Sequence, residues 1–274
     1  MTPTKRFADD ESTAMTESVF SRVVVGVDGT EPGFEACRQV ARLADPSASI
    51  EVVTVVHVAE AARAGFEAAR IADELALEAE VTLDEAVRIL GERAQRRSVD
   101  GYVMPSLLGE IARVDGTMVA VGSHGHRRAT EILIGGVAGE LLHIAPCSVL
   151  VARPAGDPEG FPRSIVVGID GSAPADAALA AAQQLARRFE RPLRVVTALQ
   201  GKNVDLAHVH LRTPFAEAID AHPVEALVTA SLTTDLIVVG SRGLHGLAAL
   251  GSVSERVAHQ AKCSVLVVRS RRSP

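Results

Sequence analysis

The chain has 274 residues, 28 basic against 34 acidic for a net charge of −6, and 47% hydrophobic content with only seven Phe, one Tyr and no Trp. At roughly 150 residues per domain the length predicts two domains, and their cores must be aliphatic, as suits Val-rich parallel strands under Ala-rich helices. The acidic balance and scarce aromatics exclude a dedicated nucleic-acid binder, the apolar content excludes disorder outside the ends, and no uncharged apolar run reaches the roughly 18 residues that span a membrane.

The N-terminal stretch MTPTKRFADDESTAMTES turns acidic straight after Lys5 and Arg6. It is therefore not a secretory signal, and residues 1–19 are read as a disordered tail. A strand at 22–27 leads to a helix from Pro32 to Ala44, punctuated by Asp45-Pro46. A strand at 50–58 follows, and then the segment from Phe66 to Arg97, whose apolar spacing and opposite charges four apart predict one long helix. Strands near 99–104, 117–122 and 147–152 complete the first half. Residues 154–162, within the Pro- and Gly-rich ARPAGDPEGFPR, form the linker. The second half has strands near 164–169, 193–199, 235–240 and 263–269, with a loop and a short helix expected over 202–222. Val-rich strands alternating with helices imply doubly wound parallel α/β sheets of Rossmann-like type.

The halves repeat one another. RVVVGVDGT from Arg22 matches SIVVGIDGS from Ser164, offset 142, and IEVVTVVHV from Ile50 matches LRVVTALQG from Leu193, offset 143. MVAVGSHG ending at Gly125 matches LIVVGSRG ending at Gly243, offset 118, and PCSVLVARP from Pro146 matches KCSVLVVRS from Lys262, offset 116. Four blocks in one order mark a duplicated domain, at 20–153 and 163–270. The second copy is shortened after its second strand.

In open parallel sheets ligands bind beyond the carboxyl ends of strands at the switch point. That places Asp28-Gly29-Thr30 and Asp170-Gly171-Ser172, after each first strand, among the candidates. The others are two Gly-rich turns. Gly122 and Gly125 are followed after nine residues by Gly135-Gly136, which opens a helix; Gly240 and Gly243 are followed after seven by Gly251, Ser252 and Val253, which open another. Glycines admit an anion close to backbone N–H groups, and a helix start adds partial positive charge, which together describe a phosphate cradle. Neither turn is G-x-x-x-x-G-K-[ST] or G-x-G-x-x-G, and a tight strand-to-helix turn is the plainer reading of each. Arg127 and Arg128 lie in the first loop, placed to pair with phosphate.

VGVDGT and VGIDGS, VGSHG with GG nine residues on, VGSRG with GS seven on, and the closing CSVLVARP and CSVLVVR together resemble the universal stress protein family in its tandem form. The resemblance covers nearly all of residues 20–270. It implies five-stranded parallel domains that dimerise through the last strand, a regulatory role in stress adaptation, and in some members ATP bound at G-x2-G-x9-G-[ST] with the first-strand Asp and second-strand end near adenosine. On those terms the first half keeps Asp28, Val58, Gly122, Gly125 and Gly135 at full spacing but has Gly136 in place of Ser or Thr. The second keeps Asp170, Gly240, Gly243, Gly251 and Ser252 with a loop two residues short, and has Gly201 where the first has Val58. Spacing ranks the first half ahead.

Plainer roles stand beside these. Asp28 and Asp170 also suit helix capping. Ser123 and Ser241 shape turns, His124 and His126 are solvated loop residues, and His208, His210 and His222 lack a matched acidic or Cys partner for a metal. Cys37, Cys147 and Cys263 are an odd set without C-x-x-C, read as small core residues in a reducing cytoplasm. The expectation is a cytoplasmic stress regulator binding ATP, with Mg, in one or both domains, with no structural metal, no nucleic-acid partner and no membrane. The apolar edges of SVLVARP and SVLVVRS should pair the domains as an intramolecular pseudodimer, with homodimerisation of the whole chain a further expectation. The alternatives are a non-nucleotide protein-interaction module and, from a third class, a slow ATPase. Any adenine is expected to rest on aliphatic contacts.

Overall fold

The computed structural model describes residues 20–57, 67–124, 134–200, 204–241 and 252–269. In the first half, β1 (Arg22–Gly26), α1 (Glu31–Leu43), β2 (Ser49–Val56), α2 (Ala68–Leu90), β3 (Ala94–Asp100), α3 (Val103–Arg113), β4 (Met118–Gly122), α4 (Gly136–Ile144) and β5 (Ser148–Ala152) alternate. The second half repeats the order with β6 (Ile165–Gly168), α5 (Ala173–Phe189), β7 (Leu193–Ala198), α6 (Leu206–Arg212), β8 (Glu217–Ile219), α7 (Pro223–Ala230), β9 (Leu236–Ser241), α8 (Val253–Gln260) and β10 (Ser264–Arg269).

All ten strands form one sheet in the order β3-β2-β1-β4-β5-β10-β9-β6-β7-β8. Pairing is parallel within each half, and β5 meets β10 antiparallel with Leu150 opposite Leu266. The expected five-stranded doubly wound halves are therefore present, joined through their last strands. The inner strands are buried on both faces because alternate residues enter different cores. Val23, Val25, Leu150 and Leu266 pack under α1, α2, α5 and α6; Val24, Val149, Val151 and Val265 pack under α3, α4, α7 and α8.

Two segments depart from the sequence expectation. The long helix stops at Leu90, and Gly91 takes φ +76 with ψ −165, a backbone conformation that only glycine adopts readily. Residues 94–100 are strand β3, not helix, and the expected strand near 99–104 gives way to the start of α3. The charges that suggested continuing helix serve instead to bridge strand to helix, Arg96 pairing with both Glu80 and Asp84. In the second half the 202–222 region holds α6 and also the three-residue strand β8. The outer edges are thus one polar, Arg-bearing strand and one very short strand, both of which discourage further pairing.

Arginine side chains tie the halves together on both faces. From α5, Arg188 donates to the carbonyls of Leu43 at 3.2 Å and Ala44 at 2.9 Å, and also to that of Arg42, which satisfies carbonyls at the C-terminal end of α1. No helix among the described residues is long and apolar enough to cross a membrane.

Candidate functional site

Each half has its switch point where the first strand hands over to its helix beside the fourth strand. Gly122 ends β4 against the start of α1, so closely that a Cβ there would lie 2.5 Å from the Pro32 carbonyl carbon. Gly240 in β9 is tighter, with the Pro174 carbonyl oxygen 2.1 Å from its hypothetical Cβ. These two glycines are required by packing whatever the site binds. Gly136 differs, having nothing among the described residues within 4 Å of the same position. Gly135 caps α4 and donates its N–H to the Ser123 carbonyl at 2.7 Å.

The Asp-Gly turns match in outline. Gly29 and Gly171 have φ of +76 and +84, where a side chain would be strained. Asp28 Oδ1 accepts from the Thr30 amide at 3.1 Å and its hydroxyl at 2.5 Å; Asp170 Oδ1 accepts from the Ser172 amide at 3.0 Å. Both aspartates thus order their own turns, and neither caps the following helix. In the second half the cap is Ser172 itself, whose Oγ accepts from the Ala175 amide, and Ser252 does the same for α8 from the Glu255 amide at 3.2 Å. Thr30 makes no such side-chain cap for α1, its hydroxyl being turned to Asp28.

A cavity of about 1010 Å³ lies in the second half. It opens at the carboxyl ends of β6, β7 and β9 and runs between α7 and α8. Asp170, Ser172, Gly240, Ser252 and Val253 are on its wall, so the structure brings these predicted residues together. Ile169, Val196, Ala198 and Val224 supply the aliphatic surface. Gln200, His222, Glu225, Arg256 and Gln260 are polar lining residues that sequence reasoning missed. They come from separate elements and share no motif spacing. Arg256 is about one turn past Ser252 and offers a cation beside the start of α8.

Of the other predicted residues, Val58, Gly125, Arg127, Gly243 and Gly251 lie outside the described residues, as do Arg128, His126 and Gly201. In the first half the structure adds His57 and Tyr102, whose rings meet edge to face at 4.8 Å beyond β2 and β3. His124 Nδ1 lies 2.9 Å from Ser123 Oγ. His208 and His210 are on α6, and His208 Nε2 sits 2.9 Å from Asp176 Oδ2. Among the described residues no cluster of three His, Cys, Asp or Glu is placed to hold a metal. The three cysteines are buried and free, and burial pushes the Cys37 and Cys263 thiols up to about 12, which keeps them protonated and unreactive.

Comparison with known proteins agrees with this architecture. One universal stress protein of Mycobacterium tuberculosis is 31% identical over 183 residues, 56% of this chain and 61% of that protein. A second is 27% identical over 223 residues, 68% of this chain and 75% of that protein. The chain thus spans under two thirds of the first relative's length. The crystal structure of a universal stress protein from Archaeoglobus fulgidus superposes with a TM-score of 0.72 at 19% identity, covering 92% of this chain and 99% of that one, a likeness of fold. The model of the universal stress protein family matches residues 20–153, which hold β1 to β5, and residues 216–269, which hold β8 to β10. The chain belongs to the universal stress protein family.

Proposed function

We propose that this chain is a cytoplasmic stress-response regulator that binds an adenine nucleotide, with the second half occupied first. The observation that carries the reading is the cavity of about 1010 Å³ at the β6–β9 switch point, bordered by the starts of α5 and α8. Ligand pockets run to roughly 1,000 Å³, so a nucleotide fits. Beyond the Ala175 and Glu255 amides that Ser172 and Ser252 cap, and Pro174, which has none, the remaining N–H groups at the two helix starts suit phosphate. Asp170 has Oδ1 engaged by Ser172, while Oδ2 has no hydrogen-bond partner among the described residues and is available to accept from ribose hydroxyls. Ile169, Val196 and Ala198 offer the base an aliphatic wall. Spacing alone ranks the first half ahead; the cavity favours the second.

On this reading residues 20–153 and 163–270 are two domains of one intramolecular pseudodimer, and Mg²⁺ enters as the counterion of the nucleotide phosphates. Binding would be the working event, with the altered surface read by a protein partner. The test is calorimetry and thermal melting of the full chain with MgATP. A ligand at a hundredfold excess over Kd stabilises by about 2.7 kcal/mol, so the melting temperature should rise by several degrees. Unchanged melting together with no heat of binding would overturn the nucleotide reading.

A further inference from the structure

The helices that start at the two cradles, α4 and α8, end at the β5–β10 junction. There each is held by an arginine from the other half. Arg153 follows β5 and is 4% exposed. Its Nη2 donates to the Ala258 carbonyl of α8 at 2.5 Å and its Nη1 to the Cys263 carbonyl at 3.2 Å. Arg269 ends β10, is 9% exposed, and donates Nη2 to the Leu142 carbonyl of α4. Positions 153 and 269 match in the repeat, as do 142 and 258, both at offset 116.

The backbone repeats the exchange. The Arg153 amide donates to Ser264 Oγ at 3.0 Å, and the Arg269 amide to Ser148 Oγ at 3.2 Å. Ala258 and Leu142 each lie among the last four residues of their helix, whose carbonyls have no intrahelical donor. A cation at that end also meets the negative pole of the helix. Among the described residues no carboxylate bonds either guanidinium, and Arg153 Nε with Arg269 Nε and Nη1 are buried without a partner. Burying a charge this way is costly, so the arrangement is poorly explained as a means of adding stability.

We infer that Arg153 and Arg269 are positioning residues acting across the junction, Arg153 of the first half fixing the helix that builds the second half's cradle, and Arg269 doing the reverse. The last step, from helix to ligand, rests on the nucleotide reading; the anchoring itself does not. The two sites are then linked through the strands between them. A change in register or spacing at the junction would be felt at both helix starts.

Hydrogen–deuterium exchange on the full chain carrying Arg153→Met or Arg269→Met tests the anchoring. Arg153→Met should speed amide exchange in α8 by about tenfold, the loss of hydrogen bonds from a charged donor, and leave α4 at its parent rate. Arg269→Met should do the opposite. Arg153→Lys, which keeps the charge and donors on a single nitrogen, should restore part of the protection, and it replaces the Met variant if that fails to fold. MgATP titration of the same proteins should show binding at the second-half site weakened about tenfold by Arg153→Met and little changed by Arg269→Met. Equal changes in both helices, a rise across the whole sheet, or no change would overturn the assignment. If the parent binds no MgATP, the nucleotide reading fails alone, and the exchange pattern still decides the anchoring.

Discussion

The two halves share strand order and turn chemistry but differ in what lies between their second and third strands. The first half has α2, 23 residues long, which places Thr82 Oγ1 only 2.9 Å from where a Cβ on Gly29 would be. The second has the seven-residue α6, and there the Asp205 carbonyl oxygen approaches Gly171 to 2.7 Å in the same sense. Both Asp-Gly turns are therefore backed by the next element, by a side chain in one case and by backbone in the other. The turn is the shared requirement, and the covering element is free to vary. The second half, with the shorter element, also has serine caps on both helices that start at its site, beside an open cavity.

The sharpest way to separate packing from binding is a glycine series. Gly240→Ala should cost about 3 kcal/mol or more, since the new methyl meets backbone and not a movable side chain. Gly122→Ala should cost somewhat less, its nearest neighbour being 2.5 Å away against 2.1 Å. Gly136→Ala should be neutral or stabilising by up to about 1 kcal/mol, and denaturant melts of the three variants give the order directly. Valine at 122 or 240 would disrupt the fold and so cannot report on ligand binding.

Removing each turn carboxylate comes next in size. Asp28→Ala frees two donors of Thr30 and Asp170→Ala frees one of Ser172, so Asp28→Ala should cost more, within about 0.5–1.5 kcal/mol per hydrogen bond. Chemical denaturation of the two variants side by side measures the difference. An equal loss would mean that the turns are not distinguished by their hydroxyls.

The smallest effect lies between α4 and α8. His143 Nε2 is 3.2 Å from Glu255 Oε1, but the mirror position to Glu255 is Gly139, whose absent Cβ would sit 4.0 Å from His259 Nε2. Burial, aided by Arg153 and His143, holds His259 below the ordinary histidine range, with Glu255 opposing. A base whose folded pKa is lowered contributes stability above its unfolded pKa and loses it as pH falls toward the folded value. The parent should therefore weaken as pH drops below about 6.5. Gly139→Glu supplies the missing acid, and should raise the His259 pKa and stabilise by about 0.5–1 kcal/mol through loss of a helical glycine. NMR titration of the His259 ring checks the sign.

The repeat was legible because its blocks are punctuated by residues with strict backbone roles: Asp28-Gly29 and Asp170-Gly171 for the turns, Gly122 and Gly240 for the close approach to α1 and α5. The inner Val-rich strands were legible for the same reason that they are buried on both faces. Strand β3 was not, because AQRRSVD is an edge whose polar side chains face solvent or pair with α2 and α3, as Arg97 does with Glu110, and so carry no apolar run. Strand β8 has three residues, too few for any period. The cavity wall escaped detection since Gln200, His222, Glu225 and Arg256 meet only after α7 and α8 pack together. Arg153 and Arg269 were visible as a repeated letter at the end of the last strands. Their role depends on the antiparallel register of β5 with β10, which sends each side chain into the opposite half.

Native mass spectrometry of the full chain with MgATP, comparing the parent with Asp28→Ala and Asp170→Ala, tests the proposed function most directly. The account predicts one nucleotide per chain at low MgATP, lost in Asp170→Ala and retained in Asp28→Ala. No adduct on the parent, or loss in Asp28→Ala with retention in Asp170→Ala, would contradict it.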